Sequence, residues 1–158
     1  MLDVVIAVAE PEDAGEILTL QRAAFLRDAQ LYNDPFMSSL TQTVDEVRAE
    51  ITDPERIVLK ATAGHRIVGS VRGHIVDGAC SIGRLMTAPD LEGQGIGGLL
   101  MAAIEERAAP SVDRYELHTG AKSTGNIAMY ERRGYCLFGQ HTDDAGMGVV
   151  SMTKPVDR

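Results

Sequence analysis

The 158-residue sequence contains no tryptophan, has only two cysteines, and draws just 4% of its residues from the aromatic types. Cys80 and Cys136 lie far apart without CxxC spacing, which argues against a disulfide scaffold and against a cysteine zinc site. The four histidines lack metal-site spacing as well, so we expect no metal. The apolar run at residues 4–9 is too short for a secretory signal or a bilayer span. These absences predict a cytoplasmic protein that does not enter membranes.

Positive charge is also scarce, since 15 lysines and arginines face 23 aspartates and glutamates, for a formal net charge of -8. A surface that binds nucleic acid gathers phosphates with a positive potential, so this balance argues against nucleic acid as a partner. An acidic protein attracts cationic small molecules or peptides, although acidity also serves solubility alone. The charge is therefore compatible with an amine ligand but does not require one.

The chain has enough apolar material for a compact core. Apolar residues make up 44% of the sequence and charged residues 24%. This composition excludes a disordered or collagen-like chain. Together with the length, it predicts one domain that spans residues 1–158.

The N-terminal third predicts one strand and two helices. The strand covers residues 4–8, and Pro11 marks the start of the first helix. Thr43 and Glu46 have the spacing of a capping box ahead of the second helix. The stretch 32–42 between these helices fits neither the helical nor the strand period. We interpret it as a candidate substrate loop.

From residue 56 onward the pattern changes to strands. Asp77-Gly78 separates two of them and favours the type I′ turn of an antiparallel hairpin. A helix opens near Ile96, after a glycine-rich loop. This order predicts an α/β (α+β) fold, in which a mixed, mostly antiparallel sheet of about seven strands is flanked by four helices and contains a parallel β-α-β crossover. The remaining predicted ranges are strands at 57–61, 67–76, 80–87, 115–119, 135–139 and 149–152 and a helix at 124–132, which Gly134 ends at the C′ position.

The glycine-rich loop is a candidate phosphate site, because Gly93, Gly95, Gly97 and Gly98 occupy four of six positions. Without Cβ atoms, backbone N–H groups can converge on one point, and the positive end of the helix dipole adds to them. The same glycines satisfy GxGxxG, with Glu116 near the place of a ribose-binding acid, so a dinucleotide-binding (NAD) oxidoreductase is an alternative. The motif follows the fourth strand and leaves too little chain for a second nucleotide half, which disfavours that alternative.

Two segments resemble the GNAT superfamily of N-acetyltransferases. Residues 85–89 with 92–97 are similar to that family's acetyl-CoA loop, and residues 123–135 are similar to its helix that ends in a Tyr-Glu-x-x-Gly-Phe/Tyr run. The resemblance covers nearly the whole chain in the right order of elements. It implies a GNAT-like fold with the parallel crossover at the acetyl-CoA site, and acetyl-CoA as the co-substrate.

The resemblance also assigns residues to the cofactor. Glu92 departs from it, since the family usually has Gln or Arg there, and a carboxylate opposes phosphates unless it points outward. Ser123 departs as well, since it stands where an Asn is usual, while an Asn occurs at Asn126. The residues expected to contact the cofactor are Leu85, Met86, Thr87, Glu92, Gly93, Gln94, Gly95, Ile96, Gly97, Gly98, Ser123, Asn126 and Tyr130.

Acetyl transfer to an amine requires a polarised carbonyl, a deprotonated amine and a proton donor for the leaving thiolate. The resemblance implies that one N–H group of residues 85–87 faces the acetyl oxygen and that Tyr130 donates to the sulfur, with direct attack by the amine. For the base we favour His118, which shares the less apolar face of its strand with Glu116. Glu116 is the second candidate. Ser81 occupies the position at which other relatives have a glutamate.

We hypothesise an N-acetyltransferase that acts on a small-molecule or peptide amine, as a monomer or a homodimer. A non-catalytic acyl-CoA-sensing module of the same fold is the alternative, because Glu92 and Ser81 depart from the enzymes. The residues that the resemblance places in the acceptor cleft are Tyr32, Asp34, Phe36, His74 and Arg84.

Overall fold

The computed structural model describes residues 2–157, which form seven strands and five α-helices. The predicted domain starts at residue 1 and ends at residue 158, and these two residues lie outside the described range. Within that range, no helix is both long and apolar enough to cross a bilayer. The strands are β1 (Val5–Val8), β2 (Arg56–Ala63), β3 (Arg66–Val76), β4 (Ala79–Thr87), β5 (Arg114–Gly120), β6 (Cys136–Thr142) and β7 (Gly148–Pro155), and the helices are α1 (Ala14–Leu31), α2 (Ser38–Thr41), α3 (Val44–Thr52), α4 (Ile96–Ala108) and α5 (Thr124–Arg132).

The seven strands form one sheet in the order β1-β2-β3-β4-β5-β7-β6. Neighbouring strands are antiparallel except for β4 and β5, which run parallel and are connected through α4. This topology confirms the predicted mixed sheet with one parallel crossover. A dinucleotide-binding fold has a mostly parallel sheet, so the topology argues against the oxidoreductase alternative.

The structure has one more helix than the sequence predicts. The extra helix, α2, is a single turn inside the segment that we interpreted as an irregular loop. The side-chain amide of Gln21 donates to the carbonyl oxygen of Ser39 at 2.9 Å. A tertiary contact therefore stabilises a turn that is too short to leave a periodic pattern. The start of α1 also differs, because Pro11 lies in a short 3₁₀ turn and the α-helix begins at Ala14.

Three local signals in the sequence are confirmed. The Thr43 side chain accepts from the N–H of Glu46 at 3.2 Å, and the Glu46 carboxylate accepts from the N–H of Thr43 at 2.9 Å, which completes the capping box. Asp77 and Gly78 have φ values of 52° and 77°, as a type I′ turn requires. Gly134 follows the end of α5 with φ 96°. Local chemistry fixes these element ends, which is why the sequence predicts them.

Helix α4 packs closely on β3 because two glycines leave room for it. A Cβ atom at Gly69 would lie 2.9 Å from the side chains of Ile96 and Leu100, and one at Gly73 would lie 3.3 Å from Ile104. These three apolar side chains are almost fully buried, and each contributes about 1.5–3 kcal/mol on leaving water. The packing fixes the N-terminus of α4 beside the carboxyl end of β4.

Strands β4 and β5 separate toward their carboxyl ends. Their parallel register ends at Ile82 and Leu117. The register between β3 and β4 then shifts by one extra residue in β4, and Arg84 has φ 53° at this point. Residues 83–87 and 118–120 therefore face a gap between the two strands. This gap, next to the start of α4, is where the candidate site lies.

Candidate active site

The loop between β4 and α4 presents an open backbone surface. Gly93 and Gly95 have φ values of 80° and 82°, which other residues rarely adopt. Ideal Cβ atoms at these two glycines, and at Gly97 and Gly98, would meet no atom within 4 Å. Protein packing therefore does not explain the absence of side chains here. The first N–H groups of a helix have no partner within it, so the start of α4 can bind an anion such as a diphosphate.

Glu92 lies next to this surface, and its side chain reaches α1. Its carboxylate lies 3.1 Å from the Nη1 atom of Arg27, and both side chains are exposed. Such an exposed ion pair contributes little to stability. It does neutralise the carboxylate that would otherwise face the diphosphate. No pattern in the sequence indicates Arg27, because the pair joins residues 65 positions apart.

A first cleft of about 430 Å³ runs from this loop between α1, β4 and α5. Six of the predicted cofactor residues besides Glu92 line it, whereas Gly93, Gln94, Gly95 and Gly98 lie outside the cleft and Ile96 is buried in the core. Lys122 lines it too and adds a positive charge that we did not predict. The predicted residues in its walls are Leu85, Met86, Thr87, Gly97, Ser123 and Asn126.

A second cleft of about 680 Å³ opens on the other side of the same gap. It contains most of the residues predicted for the acceptor and the chemistry, namely Tyr32, Asp34, Phe36, Arg84, His118 and Tyr130. The two clefts share part of their walls, so they lie side by side along the gap between β4 and β5. The shared residues are Phe25, Asp28, Leu85, Ser123 and Asn126.

Tyr130 projects from α5 into the wall of the second cleft. It is 8% exposed, and its ring packs edge-to-face on Tyr135 at 6.0 Å between centroids. Burial, assisted by the charge of Asp28, raises the pKa of the Tyr130 phenol to about 12. The phenol is therefore protonated at neutral pH and able to donate a hydrogen bond.

A buried polar cluster supports the ring behind Tyr130. The Glu105 carboxylate of α4 accepts from the Tyr135 hydroxyl at 2.7 Å, from Arg133 at 3.0 Å and from Lys154 at 3.2 Å. These contacts connect α4, the end of α5 and β7. They hold the tyrosine pair in one position relative to the sheet.

The two candidate bases lie in different surroundings. His118 is exposed and lines the second cleft, with Nδ1 2.7 Å from the Ser151 hydroxyl. Its ring also meets the edge of His141 at 6.3 Å. Glu116 does not line that cleft, and its carboxylate accepts from Arg114 at 2.7 Å. The placement favours His118 over Glu116.

The predicted acceptor residues are only partly brought together. The Tyr32 hydroxyl lies 2.6 Å from the Ser123 hydroxyl and covers Gly120, where any side chain would overlap the ring. Phe36 is 79% exposed at the rim. His74 lies outside the second cleft, in a neighbouring cavity of about 290 Å³ that Arg84 also lines.

Asp28 is the principal residue that our sequence reasoning missed. It lies where the two clefts meet, and burial raises the pKa of its carboxyl while the charge of Arg27 partly offsets this. A signal was present, because Asp28 follows Ala24 by four residues and Phe25 by three. That spacing places a carboxylate on the apolar stripe of α1.

Within residues 2–157, no group of three or more histidines, cysteines, aspartates or glutamates is arranged to hold a metal ion.

The sequence matches the model of the acetyltransferase (GNAT) family over residues 25–135, more than half of the chain. No curated protein matches it. Among solved structures, the ribosomal-protein-S18-alanine N-acetyltransferase from Escherichia coli aligns with a TM-score of 0.81 at 14% identity, over 99% of this chain and 96% of that one.

Two further structures were solved with a coenzyme. The PaiA N-acetyltransferase from Thermoplasma acidophilum, in complex with coenzyme A, has a TM-score of 0.80 and 14% identity over 98% of this chain and 99% of that one. The YncA protein from Salmonella typhimurium, with its cofactor acetyl-CoA, has a TM-score of 0.80 and 16% identity over 99% and 95%. At these identities the likeness concerns the fold.

Proposed function

Because the chain belongs to the acetyltransferase (GNAT) family, we propose that it is an acetyl-CoA-dependent N-acetyltransferase that acetylates a primary amine. The observation that supports this most strongly is the meeting of the two clefts beside Asp28 and Tyr130. One cleft begins at a glycine-lined helix start that suits a diphosphate, and the other is open to a second molecule. A donor and an acceptor that enter from opposite sides reach each other only there.

Acetyl-CoA supplies an acetyl group that is activated as a thioester. The N–H groups of residues 93–98 hold its diphosphate, and Arg27 keeps the Glu92 carboxylate away from it. Lys122 adds a positive charge to the wall of the same cleft. The backbone of residues 85–87 lines the gap that β4 and β5 leave open, and one of its N–H groups stabilises negative charge on the acetyl oxygen. The coenzymes in the PaiA and YncA structures support this assignment.

Tyr130 acts at the leaving sulfur. With the pKa of its phenol at about 12 and that of a simple thiol at about 8.5, complete proton transfer to the thiolate is uphill by roughly 5 kcal/mol. Tyr130 therefore donates a hydrogen bond to the departing thiolate rather than giving up its proton first. This contact strengthens as charge develops on sulfur, which is the requirement for catalysis.

The amine must lose a proton before or during its attack. The Asp28 carboxylate attracts the ammonium form to the junction, and His118 accepts the proton from the second cleft, directly or through a water. The amine nitrogen then forms the new C–N bond, the C–S bond to the coenzyme breaks, and the second proton of the attacking nitrogen leaves with the departing thiolate, which is released as the free thiol. We expect His118→Ala to lower kcat/KM at least tenfold and Glu116→Gln to change it less than threefold. If Glu116→Gln lowered kcat/KM more than His118→Ala did, Glu116 would be the base.

The test of the overall function combines binding with turnover. Acetyl-CoA at 100 times its Kd should stabilise the protein by about 2.7 kcal/mol, whereas NAD should not. Release of free coenzyme thiol should depend on an added amine from a panel of amino acids, polyamines, aminoglycosides and peptides. Binding without any amine-dependent release would favour the acyl-CoA-sensing alternative, for which Ser81 in place of a glutamate is the motivating feature.

We further propose a cytoplasmic homodimer. Both cysteines are free thiols, as is usual in reducing compartments. Strand β6 lies at the edge of the sheet and exposes Leu137 and Phe138 by 53% and 54%, and an apolar edge strand favours pairing with another chain. Light scattering at micromolar concentration should give twice the chain mass, and a monomer there would contradict the dimer.

A further inference from the structure

Arg84 lies at the point where β4 bends. Its φ of 53° is in the left-handed region, where a residue other than glycine costs roughly 1–3 kcal/mol. Strain of this kind persists where the surrounding structure imposes it, and it clusters at functional sites. A glycine would adopt this conformation without strain, yet the glycine of this segment, Gly83, lies one residue earlier. The chain therefore has an arginine at the position that favours glycine.

Arg84 carries a charge that the protein leaves unbalanced. Its guanidinium donates to the Ser38 hydroxyl at 3.2 Å, and among residues 2–157 no carboxylate lies within 4 Å of it. The two neighbouring arginines are paired, Arg72 with Glu50 at 3.1 Å and Arg56 with Asp53 at 3.2 Å. The region therefore has one positive charge more than it has carboxylates to match.

The same surplus charge affects Arg72. Arg72 is only 4% exposed, and burial, together with repulsion from Arg84 and Arg56, lowers its pKa to about 10. Burial also lowers the pKa of Arg84, and Glu50 offsets this only in part. A cation in such surroundings gains more from an anionic partner than an exposed one does.

Arg84 is placed to meet an acceptor. It lines the second cleft and is the only lysine or arginine among the residues of that cleft that the structure describes. Two of the four aspartates in the cleft are engaged by their own loops, because Asp34 accepts from the N–H of Phe36 and Asp143 from those of Ala145 and Met147. Of the other two, Asp144 is exposed and Asp28 lies at the junction with the first cleft. A negative group and a positive group thus lie at different parts of one wall.

We propose that the acceptor is an amine that also carries a carboxylate, and that Arg84 binds this carboxylate while the amino group lies beside Asp28 and Tyr130. This inference rests on the proposed acetyltransferase function and names the substrate class of its acceptor cleft. Arginine binds carboxylates through two parallel N–H···O bonds, so it would fix the orientation of the acceptor as well as its charge.

The test uses matched pairs of acceptors that differ only in the anionic group. The pairs are lysine with cadaverine, phenylalanine with phenethylamine, β-alanine with ethylamine, and 3-aminopropylphosphonate with propylamine. For the wild-type chain we expect kcat/KM to be at least tenfold higher for the carboxylate in the best pair. If only the phosphonate were preferred over its amine partner, the proposed carboxylate would be wrong and a phosphate-type group would take its place. A preference for the partners that lack an anionic group would overturn the proposal.

Variants then assign the preference to Arg84. Arg84→Gln should reduce the carboxylate-to-amine ratio of kcat/KM at least tenfold, mainly through KM, and Arg84→Lys should restore part of it. Arg56→Gln is the matched control, because Arg56 lies outside the second cleft and pairs with Asp53, so the ratio should stay the same. An unchanged ratio in Arg84→Gln would overturn the assignment.

Failure of this inference and failure of the proposed function give different results. If no amine is acetylated although acetyl-CoA binds, the proposed function fails and the inference fails with it. If amines are acetylated without a carboxylate preference, only the inference fails. Calorimetry with N-acetyl-β-alanine and N-ethylacetamide gives a readout without turnover, in which the wild-type chain should bind the first at least tenfold more tightly and Arg84→Gln should bind both alike.

Discussion

The first and second clefts are built from different parts of the chain. The proposed diphosphate site, next to the first cleft, consists of backbone N–H groups of one short segment, residues 93–98, and its glycines face open space. The second cleft is lined by side chains from α1, α2, β4, β5, α5 and the turn between β6 and β7. A site made of backbone requires particular glycines, whereas a site made of side chains changes with every substitution. The donor end therefore depends on a few backbone conformations, and the acceptor end depends on side chains from many elements.

The junction between the clefts should be the most sensitive point. Tyr130→Phe removes the hydrogen bond to the leaving thiolate, and we expect kcat to fall about 10²–10³-fold while the Kd for acetyl-CoA changes less than threefold. Thiol release and calorimetry measure the two quantities.

Tyr135→Phe is the matched control for that variant. It removes a hydrogen bond to the buried Glu105 carboxylate, so it should cost about 1–3 kcal/mol of stability and change kcat only a few-fold. If the two variants lost equal activity, Tyr130 would be a packing residue rather than a catalytic one.

The backbone-built cleft can be tested without disturbing the fold. A methyl group at Gly97 would meet no protein atom within 4 Å, yet it would enter the first cleft. Gly97→Ala should therefore keep or slightly raise the Tm, since alanine favours a helix by roughly 0.5–1 kcal/mol, and weaken acetyl-CoA binding about 30-fold.

Gly15→Ala provides the comparison for that change. Gly15 is also helical and also has open space around it, but it lies in α1 outside both clefts. Its substitution should affect the Tm in the same direction and leave acetyl-CoA binding as it is. Equal binding by the two variants would mean that the diphosphate lies elsewhere.

The ionisation of Asp28 makes the stability of the protein depend on pH. Because burial raises its pKa in the folded state, the folded protein holds this proton more tightly than the unfolded chain does. The stability of the wild-type protein therefore falls as the pH rises through that pKa. Asp28→Asn should be more stable at pH 7, by up to about 1 kcal/mol for a partly exposed group, and the difference should close in acid.

The same variant should lose about tenfold in kcat/KM, since the carboxylate no longer attracts the ammonium. Thermal unfolding at several pH values, beside Asp144→Asn at the cleft rim, measures the stability effect. A wild-type protein that is more stable than Asp28→Asn at neutral pH would contradict the assigned cost of this carboxylate.

Loss of the exposed ion pair between Arg27 and Glu92 should have the smallest effect on acetyl-CoA binding. Arg27→Ala frees the Glu92 carboxylate near the diphosphate and should weaken acetyl-CoA binding about threefold, in line with the modest energy of exposed pairs. The loss should disappear when Glu92→Gln is present as well. Arg22→Ala, a charge removed from the same helix outside both clefts, should change nothing. An undiminished loss in the double variant would mean that Arg27 contacts the coenzyme directly.

The sequence predicted the sheet and the glycine-rich loop before α4 because both follow local rules. Alternating apolar residues, the Asp77-Gly78 turn and the glycines after β4 each report their own conformation. The sequence could not predict α2, which a hydrogen bond from Gln21 stabilises, or the pair of Arg27 with Glu92. These contacts join residues that are distant along the chain, so no periodicity records them.

The acceptor residues show the same limit. Tyr32 and Arg84 were predicted from a resemblance and do line the second cleft, whereas His74 points to a neighbouring cavity. His74 lies in β3 opposite Ser81, in the regular part of the register, whereas Arg84 lies at the extra residue of β4. This difference in register separates the two residues, and the resemblance does not record it.

A crystal structure of the protein with bound acetyl-CoA tests the central claim most directly. The account predicts the diphosphate on the backbone of residues 93–98 and the thioester sulfur within about 3.5 Å of the Tyr130 hydroxyl oxygen, at the junction of the two clefts. A coenzyme whose sulfur lies away from that junction, or whose diphosphate leaves the glycine loop empty, would contradict it.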